Sequence, residues 1–305
     1  MLVLLLAGLF FGRGASVRAA FSAAQNSRTL QNSSGQSLQN DQRENPQENM
    51  KQAYERLPMS FEANQGQADT AVKFIARGHG YQVFLTADEA VLVLRTADCG
   101  LGNSNCAQAQ DAAKNPQSAS GNSGRNPQPS VLRFKLPQAQ SDQQITPSSL
   151  LPGKTNYLVG NDPQHWHTEI PNYARVEYRE VYKGIGLAYY GTQRALEYDF
   201  VVAPGADPSQ ITMTVEGAEK IEQDASGDLI LHVAGQRVYH RSPVSYQIIS
   251  GQRRTVTSRY VLKGGNQIGF EISGYDAKQQ LVIDPVIDFS TFFGGIGSDE
   301  GLAIA

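Results

Sequence analysis

The chain is short of charge, of cysteine and of tryptophan, and it has no long helical periodicity. Lys, Arg, Asp and Glu supply only 18% of its 305 residues and leave a formal net charge of −3, so no strong field recruits nucleic acid or an anionic membrane. The two cysteines lie in no CxxC pattern and have no His pair beside them, which leaves a structural metal short of ligands. The five histidines form no HExxH pair, and no GxSxG elbow marks a serine nucleophile. Without a helical period there is nothing to build a parallel α/β sheet. What the chain does have is 29 glycines and 13 tyrosines against one tryptophan and four methionines, a balance suited to many turns joining short strands.

Residues 2–11 form an apolar run too short to cross a bilayer as a helix and suited to the hydrophobic region of a signal peptide. No positive charge precedes the run, and Val17 and Ala19 supply a small-residue cleavage pattern. The expected destination is export, to the extracellular space, the cell surface or the periplasm. In an oxidising compartment Cys99 and Cys106 are expected to form a disulfide around residues 100–105, adding about 2 to 3 kcal/mol of local reinforcement. The expected organisation is a signal peptide over 1–24, a polar linker over 25–56, a β domain over 57–286 and the start of a further unit over 287–305. The linker is rich in Gln, Asn and Ser and cannot repay the entropy of folding, apart from a short helix near 48–57 that must stop before Pro58. A second polar tract over 107–129 reads as a disordered surface loop within the domain.

Inside the domain the pattern has a period of two. Leu196, Tyr198, Phe200 and Val202 point one way and Glu197 and Asp199 the other; Ile211, Met213 and Val215 alternate with Thr212 and Thr214. Residues 223–228 and 263–266 carry the turn residues of tight hairpins, and a third hairpin is expected around Ala87, Asp88 and Glu89. The predicted fold is all-β, a large antiparallel sandwich of one lobe, or of two dividing near 107–129.

The search for chemistry returns near misses. Gly153, Lys154 and Thr155 imitate the end of a phosphate-binding loop, but position 148 is Ser where that motif needs Gly, and a strand follows rather than a helix. Gly295, Ile296 and Gly297 precede Gly301, one residue too late for a dinucleotide fingerprint. His165 and His167 would share a face if they stood on a strand and could then chelate a metal; the alternative is a loop anchored by Trp166 with solvated histidines. No motif ties His232 or His240 to a serine and an acid. Glu197 and Asp199 form a candidate carboxylate pair, although alternating acids on a strand usually mark its solvated face. Tyr189, Tyr190 and Tyr198 could form an aromatic glycan platform or belong to the core. No catalytic residue, cofactor or metal is assigned.

Several stretches, in order, resemble the N-terminal region of bacterial SBBP-type β-propeller repeat proteins: residues 60–67 (SFEANQGQ), 74–81 (FIARGHGY), 151–162 (LPGKTNYLVGND), 196–208 (LEYDFVVAPGADP) and 281–286 (LVIDPV). The resemblance implies an uncharacterised β domain at the start of an exported, often surface-associated protein, and gives the GKT segment a place in a family motif without nucleotide binding. The expected function is a non-enzymatic structural or interaction module preceding a propeller array. Its partners are the downstream repeats and a surface glycan or protein ligand, with no nucleic acid and no transmembrane span. A carbohydrate-binding module is the alternative and a secreted hydrolase the third reading. Residues 288–305 resemble the opening of one repeat, so the chain is expected to be a truncated piece, with the segment after Pro285 packed more weakly than the core.

Overall fold

The computed structural model describes residues 50, 53, 56–78, 80–94, 130–137, 139, 144–192 and 195–288. The expected signal peptide, most of the linker, the Cys99 and Cys106 pair, the 107–129 tract and the repeat start beyond residue 288 lie outside the described residues. Met50 and Ala53 are helical, within the short helix expected near 48–57.

The first sheet segment runs through β1 (Phe61–Ala63), β2 (Phe74–Gly78), β3 (Tyr81–Leu85), β4 (Glu89–Leu94) and β5 (Ser130–Lys135). Then come the long strands β6 (Ile145–Tyr157) and β7 (His167–Tyr182), followed by β8 (Ile185–Gly191), β9 (Ala195–Val202) and β10 (Thr212–Glu216). A three-strand unit follows, β11 (Lys220–Gln223), β12 (Leu229–Val233) and β13 (Gln236–His240). The chain ends in β14 (Val244–Ile249), β15 (Gln252–Gly264), β16 (Gln267–Ser273), β17 (Leu281–Asp284) and β18 (Val286–Asp288). The hairpins fall where the turn residues placed them. At the β15–β16 turn, Gly265 and Asn266 both take positive φ (56° and 59°), the backbone whose twist matches the strands on either side.

Every pairing is antiparallel, and the sandwich forms a single continuous sheet of 18 strands. Followed from neighbour to neighbour, the order β1, β2, β3, β4, β5, β10, β16, β15, β14, β17, β9, β8, β7 returns to β1. The closing step is short, Phe61 against Tyr173 and Glu62 against Asn172. Two branches leave this circuit: β6 pairs along β7, and β18 leads to β13, β12 and β11.

One main core fills the circuit, with residues from before and after the 107–129 tract, so that tract does not divide the domain into lobes. Inward residues of β9, β8 and β7 form an aromatic chain in which Tyr178, Tyr189, Tyr198 and Phe200 stack at centroid distances of 5.7 to 5.9 Å. Hydroxyls buried with them find backbone oxygens: Tyr178 donates to Thr86 O at 2.7 Å and Tyr182 to Thr212 O at 2.6 Å. A smaller apolar cluster, Val72, Ile75, Phe84, Val91 and Val93, lies on the other face of β2 to β4, which is why β4 is buried on both faces. Of the segment after Pro285, where weaker packing was expected, only residues 286–288 are described, and these are held in the sheet. Ile287 is 1% exposed, and β18 runs to Asp288, two residues beyond the expected boundary at 286, because it pairs with β9 on one side and β13 on the other.

His240, at the end of β13, sits at the centre of the core. Its ring lies 4.8 Å from Tyr260, 5.6 Å from Tyr198 and 5.9 Å from Phe134, and it is wholly buried. Nε2 shares a 2.7 Å hydrogen bond with the Tyr198 hydroxyl, whereas Nδ1 has no partner among the described residues. Burial pushes the imidazole down to about 3. The unfolded chain therefore takes up a proton near pH 6.5 that the folded chain refuses until about pH 3, so His240 costs stability as pH falls through that window. Between about pH 6.5 and 4 this amounts to roughly 3 kcal/mol. Urea unfolding of His240→Phe should show that much less acid sensitivity than the wild type; equal slopes with pH would refute the assignment.

Candidate functional site

The two motifs LEYDF and LVIDPV meet across one ladder. β17 and β18 pair with β9 in a single register, Leu281 to Val202, Ile283 to Phe200, Ile287 to Leu196 and Asp288 to Ala195. Counting along that register, Asp284 stands opposite Asp199 and Pro285 opposite Tyr198. The period of two then puts Leu196, Tyr198, Phe200, Leu281, Ile283 and Ile287 in the core and Glu197, Asp199 and Asp284 on the outward face. Like charges directly opposite each other on a sheet repel.

The neighbouring strands supply what holds this arrangement. From β8, the Tyr190 hydroxyl donates to Asp199 Oδ1 at 2.7 Å and lies 3.4 Å from Asp284 Oδ1. From β7, Arg175 approaches Asp199 Oδ2 at 3.5 Å, pairs with Glu177 at 3.1 Å and lies 4.8 Å above the Tyr190 ring. On the far side, Arg253 of β15 stacks 3.7 Å from the ring of Tyr246 on β14. Val244 and Ile248, which share that face of β14, are 50% and 53% exposed. The face thus carries three carboxylates at its centre with an arginine over a tyrosine on each side.

Asp199 is only 8% exposed, so this pair is not the solvated face that alternating acids usually mark. Burial raises its carboxyl above the usual range, against the hydrogen bond from Tyr190 and the charges of Arg175 and Arg253. Burial and then the Asp199 charge raise Asp284; burial, Asp284 and Asp199 together raise Glu197. Burial and the bond to Asp199 push the Tyr190 hydroxyl far up, so it remains a donor. The three carboxyls thus influence one another's titration, each raised above its ordinary range.

Three other motifs converge at a second cluster. Arg77 of FIARG bridges Glu62 of SFEAN and the hydroxyl of Tyr157 from GKTNY, which also bonds Glu62. Burial and the bond to Glu62 push the Tyr157 hydroxyl up to about 12. Alongside, Asn172 donates to Gly153 O at 3.1 Å and to Thr155 Oγ1 at 3.1 Å, and Lys154 pairs with Glu169. The GKT residues therefore lie within the strand β6 itself, where a strand had been expected to follow them.

The remaining candidates are dispersed. Tyr189 and Tyr198 point into the core while Tyr190 points out, so the three form no platform. His165 ends a 3-10 turn that begins at Pro163 after the cap Asp162, and His167 opens β7, so the two do not share a strand. Trp166 Nε1 donates to Gly160 O at 3.2 Å, anchoring that loop. His232 pairs with Glu222 on the adjacent strand. No group of three or more His, Cys, Asp or Glu side chains among the described residues is placed to hold a metal ion. Sequence reasoning did not single out Asp284, Arg175, Tyr246 or Arg253. Asp284 lay within a quoted motif, but its place opposite Asp199 depends on a register between strands some 80 residues apart.

The fold and this face define an all-antiparallel β domain with a polar, arginine-flanked carboxylate cluster on one sheet face. The chain belongs to the family described as Domain of unknown function (DUF7948), whose model matches residues 61–286. No curated protein matches the chain. No helix among the described residues is long and apolar enough to cross a membrane.

Because a raised carboxyl binds its proton more readily when folded, the Asp199 and Asp284 pair opposes folding when both are ionised, and the cost fades as pH falls into the carboxyl range. Asp284→Asn should stabilise the domain by about 1 kcal/mol or less near pH 8, discounted for its partial exposure, and by nothing measurable near pH 4. Denaturant midpoints at the two pH values test this; a loss of stability near pH 8 would show that the pair is net favourable.

Proposed function

We propose that the domain is a non-enzymatic, exported interaction module that precedes an SBBP-type β-propeller array and presents it at the cell surface or in the periplasm. The observation that supports this is the way the last described strand is held. β18 is hydrogen-bonded to β9 and β13 at once, and Arg241 bonds Asp288 at 2.7 Å and Asp228 at 2.9 Å. The described chain therefore ends in a strand held on both sides. That geometry suits a unit whose task is to orient the next one. The resemblance of residues 288–305 to the opening of a repeat supports a propeller repeat as the next unit. Export rests on the apolar run at residues 2–11.

The glycan-binding alternative now rests on Tyr190 and Tyr246, the two rings on the outward face, and both are already covered by arginines. The complete gene should continue past Ala305 into several repeats of about 40 or more residues, each opening on a block like residues 288–297. Mature protein recovered from the producing cells should begin near residue 20 to 25 and should be found outside the cytoplasm. A stop codon directly after Ala305 would overturn the presenting role; recovery of protein that still begins at Met1 would overturn export.

A further inference from the structure

The chain contains three Asp-Pro bonds, at Asp162 and Pro163, Asp207 and Pro208, and Asp284 and Pro285. Such a bond is exposed to attack by its own side chain. The aspartate carboxylate is tethered next to the carbonyl carbon it can strike, and the proline nitrogen, a tertiary amide, leaves as a secondary amine once protonated.

The first two aspartates are otherwise engaged. Asp162 Oδ1 accepts from Gln164 N at 3.0 Å, and Asp207 accepts from Ser209 N at 2.9 Å and from Ser209 Oγ at 2.8 Å, each capping a 3-10 turn. Asp284 is different. Its carboxyl accepts no backbone N–H among the described residues, stands opposite the carboxyl of Asp199, and has the Tyr190 hydroxyl at a long 3.4 Å as its hydrogen-bond contact. The backbone beyond it is also a loosened point of the ladder. Pro285 has no N–H to give Tyr198, the one bond that remains between those residues, Tyr198 N to Pro285 O, is 3.4 Å long, and the strand's outer partner changes there from β14 to β13. A carboxyl without an anchoring partner therefore lies beside a locally loosened peptide bond.

We propose that the bond between Asp284 and Pro285 is a self-cleavage site. A carboxylate oxygen of Asp284 bonds to the backbone carbonyl carbon of Asp284, a proton from solvent goes to the nitrogen of Pro285, and the C–N bond breaks with its electron pair kept by nitrogen. A five-membered anhydride is left on Asp284, and one water molecule opens it to the free α-carboxylate. The net change is hydrolysis of one peptide bond, with no oxidant or reductant. Asp199 and Tyr190 face the Asp284 carboxyl without anchoring it: the Asp199 charge favours its protonated form, and the Tyr190 hydroxyl lies 3.4 Å away. The charged and titratable groups facing it are Asp199 and Glu197 of β9, Tyr190 of β8, Arg175 of β7, Tyr246 of β14 and Arg253 of β15. Cleavage falls between β17 and β18, so the new N-terminus stays in the sheet through β9, β13 and Arg241 while its covalent link to the domain is lost. Only the use of such a break, a releasable tether for a downstream module, rests on the proposed function; the chemistry does not.

The test is incubation of the purified chain at about pH 4 to 5 and at about pH 7.5, followed by mass spectrometry and N-terminal sequencing. The fragment beginning at Pro285 should accumulate on acidification and exceed those beginning at Pro163 and Pro208 by roughly tenfold or more. Asp284→Asn and Asp284→Glu, confirmed as folded by circular dichroism, should abolish it, and Asp199→Asn should shift its pH profile. Denaturant at the same pH should remove the preference among the three bonds. No fragment from Pro285, equal yields at the three bonds, a preference that survives denaturant, or cleavage persisting in Asp284→Asn would each overturn the proposal. Because the readout is in this chain, it is independent of whether repeats follow.

Discussion

The register of β9 against the final two strands is the constraint on which the rest depends. β9 is hydrogen-bonded to β8 along one side and to β17 and β18 along the other, and it supplies Tyr198 and Phe200 to the core and Glu197 and Asp199 to the surface. A slip of one residue would expose the aromatic chain and bury both acids, an exchange whose cost is on the order of a typical domain's whole margin of stability. The alternation of large apolar and acidic residues therefore fixes the register more firmly than any single contact. Pro285, between β17 and β18, is kept in line by that register on both sides of it, by Ile283 before and Ile287 after.

Closure of the strand circuit follows from the same logic. A sheet this long, left open, would present edges able to pair with other chains. The contact of β1 with β7 removes them from the circuit, leaving β6 and β11 as the edges among the described residues. β6 carries Pro147 and Pro152, which cannot donate to an added strand, and Lys154; β11 is four residues long with Lys220 on it. The cluster of Glu62, Arg77 and Tyr157 lies where β1, β2 and β6 come together, tying the closing strand to its neighbours through side chains as well as backbone.

Fold class, the hairpins and the inward set of β9 and β10 were legible because each rests on local information: a period of two and the turn residues between strands. The aspartate pair was only half legible. Glu197 and Asp199 could be read as sharing a face, yet whether that face was wet depended on Tyr190, Arg175 and Asp284, which arrive from three other strands. The closure of the circuit left no mark in any window of sequence, since it depends on two residue pairs more than a hundred positions apart. His240 carried no warning either. A lone histidine at the end of a short strand gives no sign that Phe134, Tyr198 and Tyr260 will surround it.

Neighbouring residues of β9 thus respond to acid in opposite senses. Tyr198 holds the imidazole of His240, whose charging the core resists, so acid loosens the inside of the fold. Asp199, one residue on and on the other face, is relieved by the same protons. The two effects are kept apart by the pleat and act on different elements, β13 and its neighbours within, β17 and its junction with β18 without. Acid therefore does not relax or tighten this domain uniformly. It removes the electrostatic strain from the outward face around Asp284 and places it in the packing beneath.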